Sequence, residues 1–457
     1  MPNVTDYLTW RGDLTVDERP VNDADALAIA CAAYLDIRPF TNGTAGTLGD
    51  ACRDLLARAD QAGASGAPGG VGGAGETGDV SPFVRSMASI DRGFVQALAA
   101  SRRLGEATLF RVADVVDEAT ATQFAAIEVD VSPEVTFVAF RGTDTTLVGW
   151  RENFLLGSRV TNAQVLAARF LRDALARAVK RGARVCVTGH SKGGALADYA
   201  CAVCPADLRD HVARCWSLDG PGLERALVPT CAADVLGDRF SRIQPAYSVV
   251  GALFDRPGTV RRHVASVARG LLQHDPMSWQ TTPTGLLPAE ADPAAAPLDA
   301  ALNDWIDSVA MPERVQLTDE LFSVLGAGGA STLDEVLGSP RATQQVLAAA
   351  IAASPTTKLL VTRLLSAAAG GHVGAAREWV AEGAASAGRA VGEAISDALE
   401  SATSAIAQRA RDRARDARAA GDAAKTPGAA DALGAIDGPG RASSSPDGST
   451  VLPRHDG

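Results

Sequence analysis

Arg184-Val185-Cys186-Val187-Thr188-Gly189-His190-Ser191-Lys192-Gly193-Gly194-Ala195 changes character at its centre. Val185-Cys186-Val187-Thr188, after Arg184, is a short run, mainly apolar and largely β-branched, which reads as a buried strand. From Lys192 to about 203 the pattern is helical. The junction, Gly189-His190-Ser191-Lys192-Gly193, fits G-x-S-x-G in the context that motif needs, a strand before and a helix after. A side chain at the tip of so sharp a turn sits on a strained backbone. Its neighbours must be small so that helix and strand can close on each other, as Gly189, Gly193, Gly194 and Ala195 are. The turn also sets Ser191 at the positive end of a helix, where the Lys192 amide can face a developing oxyanion. Ser191 is therefore the candidate nucleophile; the competing reading is a glycine-rich turn with an idle serine.

The flanking sequence extends the alternation. LFRVADVVDE (109–118) and QFAAIEVDV (123–131) predict an antiparallel hairpin, and EVTFVAF (134–140) a short buried strand. A long helix is expected over 163–181, with Asn162 as N-cap and Gly182 as its stop. RCWSLDG (214–220), SRIQPAYSVV (241–250) and TVRRHVASVA (259–268) predict three more strands. Strands alternating with helices imply an α/β fold with a mainly parallel central sheet. Helical patterns precede it, over 22–58 with Asn22 as N-cap and over 83–104. One catalytic domain is expected over 1–285, with the Gly/Ala-rich stretch 61–82 as a flexible insertion. A helical appendage is expected over 286–373, an Ala-rich amphipathic helix over 374–425 and a disordered tail over 426–457.

Composition narrows the function. The 457 residues carry 43 basic and 54 acidic side chains, a net charge of −11, which argues against nucleic acid as partner. The polar start, MPNVTDYLTWRGDLT, has no apolar signal core, and no run of 18 apolar residues occurs. Seven scattered cysteines fit reduced, buried thiols, and with these features a cytoplasmic location is expected. Cys201 and Cys204 lack a second ligand pair, so no metal is expected. The stripe Val391, Ile395, Leu399 and Ile406, followed by Arg409 to Arg418, suits weak contact with an anionic membrane surface or a partner helix, or a solvated, partly formed helix.

Further candidates follow from the elbow. Phe140-Arg141-Gly142-Thr143-Asp144 closes the strand about fifty residues upstream. Thr143 there can offer an amide and a hydroxyl as second oxyanion donor, or simply end a strand. A base should follow the acid in the chain. His274, after the last expected strand, is the candidate base; His190, His211, His263, His372 and His455 are less well placed. Asp219, at the end of strand 214–218, is the first candidate acid, with Asp255 as the alternative and Asp275 a weaker one. Lys192 puts a cation beside the nucleophile, either to attract an anionic substrate or on the helix surface. No organic cofactor is required.

Phe140-Arg141-Gly142-Thr143, Gly149-Trp150, Gly189-His190-Ser191 and Gly193-Gly194-Ala195-Leu196-Ala197 resemble the class 3 (fungal-type) lipases. NVTDYLTWRGDLT, SLDGPG (217–222), SVVGALF (248–254) and QHDPMSWQ (273–280) resemble more a bacterial branch of lipase-like proteins. The resemblance covers roughly residues 3–370 and implies an α/β-hydrolase fold, Ser191 as nucleophile, and Thr143 with the Lys192 amide as oxyanion donors. The chain departs from those lipases in three places. Ser248 stands where their acid stands, 158–166 lacks their H-x-G-F stretch, and 144–161 is too short and polar for a large lid. The expected activity is hydrolysis of carboxylic esters of lipase, esterase or thioesterase type through an acyl-enzyme on a small ester or lipid. The alternative is a lipase-like fold serving as a non-catalytic binding or scaffold module.

Overall fold

The computed structural model describes residues 1–37, 46–64, 88–144, 146–254, 259–296, 309–332 and 340–354, with positions 303, 336 and 357 between and beyond them. Three helices open the described chain: α1 (Val4–Arg11), α2 (Asp23–Ala32) and α3 (Leu48–Ala64), with β1 (Gly46–Thr47) before the last. Asn3 and Asn22 cap α1 and α2 with the same reciprocal arrangement, closed by Asp6 and Asp25. Then come α4 (Arg92–Ala100), the hairpin β2 (Thr108–Asp117) and β3 (Thr122–Asp130), and β4 (Val135–Phe140). Next are α5 (Leu147–Leu155), α6 (Asn162–Arg181), β5 (Arg184–His190) and α7 (Lys192–Ala202). The series continues with α8 (Ala206–Arg209), β6 (Val212–Leu218), α9 (Ala232–Leu236), β7 (Phe240–Pro245) and β8 (Arg261–Val264). Short strands β9 (Thr281–Thr282), β10 (Gly285–Leu286) and β11 (Pro288–Ala289) follow.

One nine-stranded sheet runs β1-β2-β3-β4-β5-β6-β7-β8-β11. Strands β4 to β8 are mutually parallel and form its centre; β1 to β3 and β11 add antiparallel flanks. Parallel neighbours need crossovers, and α6, α7 and α9 lie within three of them. The register aligns Phe140 with Gly189, His190 with Leu218, Leu218 with Ile243 and Pro245 with Val264. The carboxyl ends of the five parallel strands therefore reach one sheet edge together, where open α/β sheets place their sites.

Side-chain alternation divides the core into two layers. Phe137, Ala139, Cys186, Trp216 and Ile243 face α1 to α4. Val138, Phe140, Val185, Val187 and Cys215 face α6 and α7. α2 is buried on all sides and Ala-rich, so it lies close enough to β5 for Thr188 Oγ1 to donate to the Ala26 carbonyl at 3.0 Å. The bidentate pair of Arg103 with Asp25, at 2.6 and 2.7 Å and fully buried, ties this layer to the loop before α2, where Arg103 also donates to carbonyls of Thr15, Arg19 and Pro20.

Several boundaries differ from those the sequence predicts. Thr161, not Asn162, caps α6, and Asn162 is its first helical residue. The strand expected over 241–250 ends at Pro245, and that expected over 259–268 is only Arg261–Val264. Helix α4 is confined to Arg92–Ala100, and α1 lies in a stretch with no apolar periodicity to announce it. Helices at Met311–Leu325 and Pro340–Ala352 fall within the expected 286–373 segment. Residues 65–82, the helix expected over 374–425 and the tail 426–457 lie outside the described residues. No helix among the described residues is long and apolar enough to cross a membrane.

Candidate active site

Ser191 sits between β5 and α7 with φ 59° and ψ −128°, a strained conformation for a non-glycine residue. The turn closes because its neighbours have no side chain. A Cβ on Gly193 would overlap the Phe140 carbonyl, and one on Gly189 would overlap the Gly193 backbone. The Ser191 amide donates to the Leu218 carbonyl at 2.9 Å, fastening the turn to the end of β6.

His274 closes a single 3-10 turn, Gly270–His274, beyond β8. Its Nε2 lies 3.0 Å from Ser191 Oγ and its Nδ1 2.7 Å from Asp219 Oδ2. Asp219 directly follows β6, with φ 46°, and its side chain is fully buried. Its amide donates to Ile243 at 2.7 Å. Its other oxygen, Oδ1, accepts from Ser248 Oγ at 2.5 Å and from the Gly251 amide at 3.2 Å. The loop after β7 is bent closely around that carboxylate: a Cβ on Gly251 would stand 2.5 Å from Oδ1. Arg242, on β7, donates to the carbonyls of Gly220 and Gly251 at 2.8 and 3.1 Å, so one guanidinium bridges the loops that carry Asp219 and Ser248.

The structure thus brings Ser191, His274 and Asp219 into one hydrogen-bonded line. The carboxylate can only accept, so His274 Nδ1 carries the proton and Nε2 accepts from the serine hydroxyl. Asp255 lies outside the described residues. Asp275 faces away from the line: its Oδ1 accepts from the amides of Met277 and Ser89. His263 is a strand residue, with Nε2 3.2 Å from Gln244 Nε2, and His211 directly precedes β6. His372 and His455 are outside the described residues.

His190 has a place that motif reading misses. Its Nε2 lies 2.8 Å from the carbonyl of His274, and its Nδ1 3.0 Å from the Tyr34 hydroxyl. A carbonyl only accepts, so Nε2 bears the proton and Nδ1 takes the tyrosine's. Its ring packs against that of His274 with centroids 4.8 Å apart. Burial, with some help from the neighbouring His274, pushes the His190 pKa down to about 3, which keeps it neutral. The turn that holds His274 is pinned again at Gln273, whose carbonyl accepts from the Trp279 indole at 2.8 Å and whose side chain accepts from the Tyr247 amide at 3.0 Å.

The loop after β4 lies against the elbow, with Gly142 packed between the Tyr34 hydroxyl and the His190 carbonyl. Thr143 is nearly buried, and its hydroxyl has no hydrogen-bond partner among the described residues. The Lys192 amide is the first of α7. The Lys192 side chain, however, neither meets solvent nor lies on the helix surface. It is fully buried, with Nζ 3.0 Å from Glu152 Oε2 and 2.7 Å from the Gln123 carbonyl. Burial lowers its pKa, opposed by Glu152. Glu152 also accepts from the amides of Gln123 and Ala163, so one ion pair joins α5, α7, β3 and the start of α6. A buried pair of this kind has no charge left over for a substrate anion, and a surface reading of Lys192 fails because α7 packs into the sheet on that side.

Tyr34 and Glu152 are likewise absent from the motifs, and SVVGALF (248–254) carries Ser248 and Gly251 with no role attached to either. Only Ser248 left a signal, as a serine standing where an acid was expected.

A family model described as Mbeg1-like, a lipase-like family, matches residues 98–323. That interval contains β2 to β11, the elbow, Asp219 and His274, and the match supports a lipase-like fold for this part of the chain. Among solved structures, the chain is similar to the crystal structure of M37 lipase, at 16% identity and a TM-score of 0.28, over 50% of this chain and 68% of that one. No curated protein matches.

Proposed function

We propose that this chain is a serine hydrolase that cleaves carboxylic esters through Ser191, His274 and Asp219. The observation that carries the reading is the line Ser191 Oγ–His274 Nε2 at 3.0 Å and His274 Nδ1–Asp219 Oδ2 at 2.7 Å, on a nucleophile held at φ 59°. His274 takes the hydroxyl proton as Ser191 Oγ attacks the ester carbonyl. Asp219 keeps the ring in the receiving tautomer and stabilises the imidazolium. The oxyanion falls to the Lys192 amide at the start of α7, with the Thr143 hydroxyl, unpartnered among the described residues, as the second donor. His274 then passes its proton to the departing alcohol, leaving the acyl group on Ser191. Water, deprotonated by the same ring, cleaves that acyl-enzyme and restores the serine.

The test is covalent labelling with a fluorophosphonate, together with turnover of short p-nitrophenyl esters, for the full chain and for Ser191→Ala. Labelling and turnover that vanish in the variant are expected. Labelling that persists without Ser191, or a full chain that neither labels nor turns over, overturns the reading in favour of a binding module.

A further inference from the structure

We propose that Ser248 is a positioning residue for the acid: its hydroxyl, presented from the loop after β7, fixes the Asp219 carboxylate with Oδ2 toward His274. The inference rests on the hydrolase reading above. Its basis is the unequal surroundings of the two carboxylate oxygens. Oδ2 meets His274 Nδ1 at 2.7 Å, whereas Oδ1 is held by the Ser248 hydroxyl at 2.5 Å and the Gly251 amide at 3.2 Å. Both residues are buried, so no water competes for Oδ1 from a solvent-exposed face. The hydroxyl itself is oriented. Ser248 Oγ accepts from the Gly251 amide at 3.1 Å, which turns its own proton toward the carboxylate.

The arrangement also accounts for an acid on β6. Asp219 follows β6 directly, and its carboxylate needs support from the next loop to keep its orientation beyond the sheet edge. The loop after β7 supplies it, and Arg242 locks the two loops together through the Gly220 and Gly251 carbonyls. Ser248 thus occupies the place of an acid and acts on the acid, without touching substrate or nucleophile.

The full chain is compared with Ser248→Ala and Ser248→Cys, the latter keeping a side chain but only a weak donor. Turnover of a short p-nitrophenyl ester is followed across pH. Losing a hydrogen bond to a charged group should lower kcat about tenfold to a hundredfold, with KM little changed. With one donor fewer, the carboxylate charge is less dispersed, so the imidazolium is favoured and the acid limb of kcat/KM moves to higher pH. A merely structural serine would lower the unfolding temperature and leave that limb in place. Ser248→Thr, which keeps the hydroxyl, should recover most of the loss. If either donor-deficient variant folds and retains full kcat with an unmoved limb, the proposal is overturned. Failure of the hydrolase reading looks different, since wild-type chain would then show no Ser191-dependent labelling at all.

Discussion

Among single residues, Asp219 carries the sharpest expectation. Its carboxylate meets His274 Nδ1 at 2.7 Å, so Asp219→Asn would leave the ring free to adopt the wrong tautomer. The turnover of a p-nitrophenyl ester should fall by about a thousandfold or more while the fold persists, as circular dichroism would show. His190 sets a different dependence. In the folded chain its pKa is pushed down to about 3, against 6.5 for the ordinary imidazole. Between these values the unfolded chain binds a proton that the folded chain does not, so falling pH favours unfolding. The contribution of this ring is complete above 6.5, and is lost by up to about 1.4 kcal/mol per pH unit down to about 3. Urea midpoints measured across that range should fall with pH, and His190→Gln should flatten the fall. Ser191, Asp219 and His274 were legible in the sequence because each follows a strand in the expected chain order. The role of Tyr34 was not, and Ser248 showed only as a serine in the place of an acid. The contacts that define them span 156 and 29 residues, and no local spacing marks such a pair.

At the scale of elements, the strand–turn–helix at 184–202 was legible because a short continuous apolar run, Val185-Cys186-Val187, met a run of small residues. Strand ends were less so. Pro245 still pairs in register with Val264, but beyond it the chain leaves the ladder to bend around Asp219, a requirement set by the site and not by propensity. α1 shows the converse case. Its apolar pattern is weak, yet Asn3 and Asp6 carry the same capping spacing as Asn22 and Asp25. What holds α5 and α7 at the site is the buried pair of Lys192 and Glu152. Lys192→Met should strand the glutamate in the interior and cost about 3–5 kcal/mol of stability, read from urea unfolding. Replacing both, Lys192→Met with Glu152→Gln, should cost clearly less than the single change. Equal losses for the two chains would mean that the pair contributes by packing alone.

For the molecule as a whole, sequence character changes near residue 285, and a separate helical appendage is the natural reading of that change. The described helices beyond it pack on α5, in an apolar cluster apart from the two layers that cover the sheet. Leu321, Phe322 and Leu325 pack with Leu147, Trp150 and Phe154 of α5, and Thr332 pairs with Thr146 at its cap. Arg314 donates to the Gly157 carbonyl at 2.6 Å and pairs with Glu224 at 2.8 Å, joining the same helix to the loop between α5 and α6 and to the loop between β6 and α9. α5 begins three residues after Asp144, in the loop after β4, and carries Glu152, the partner of Lys192. Packing between segments more than 150 residues apart leaves no periodicity to read, and a change of composition is not a change of cooperative unit. Leu321 is fully buried, so Leu321→Ala should cost about 2–5 kcal/mol. If the helices formed a unit of their own, that loss would melt them and leave the site intact. Because they share α5 with it, loss of helical signal in urea and loss of fluorophosphonate labelling at Ser191 should shift together to lower denaturant. Labelling that survives past the helical transition in Leu321→Ala would show instead that the helix Met311–Leu325 can detach while α5 keeps its place.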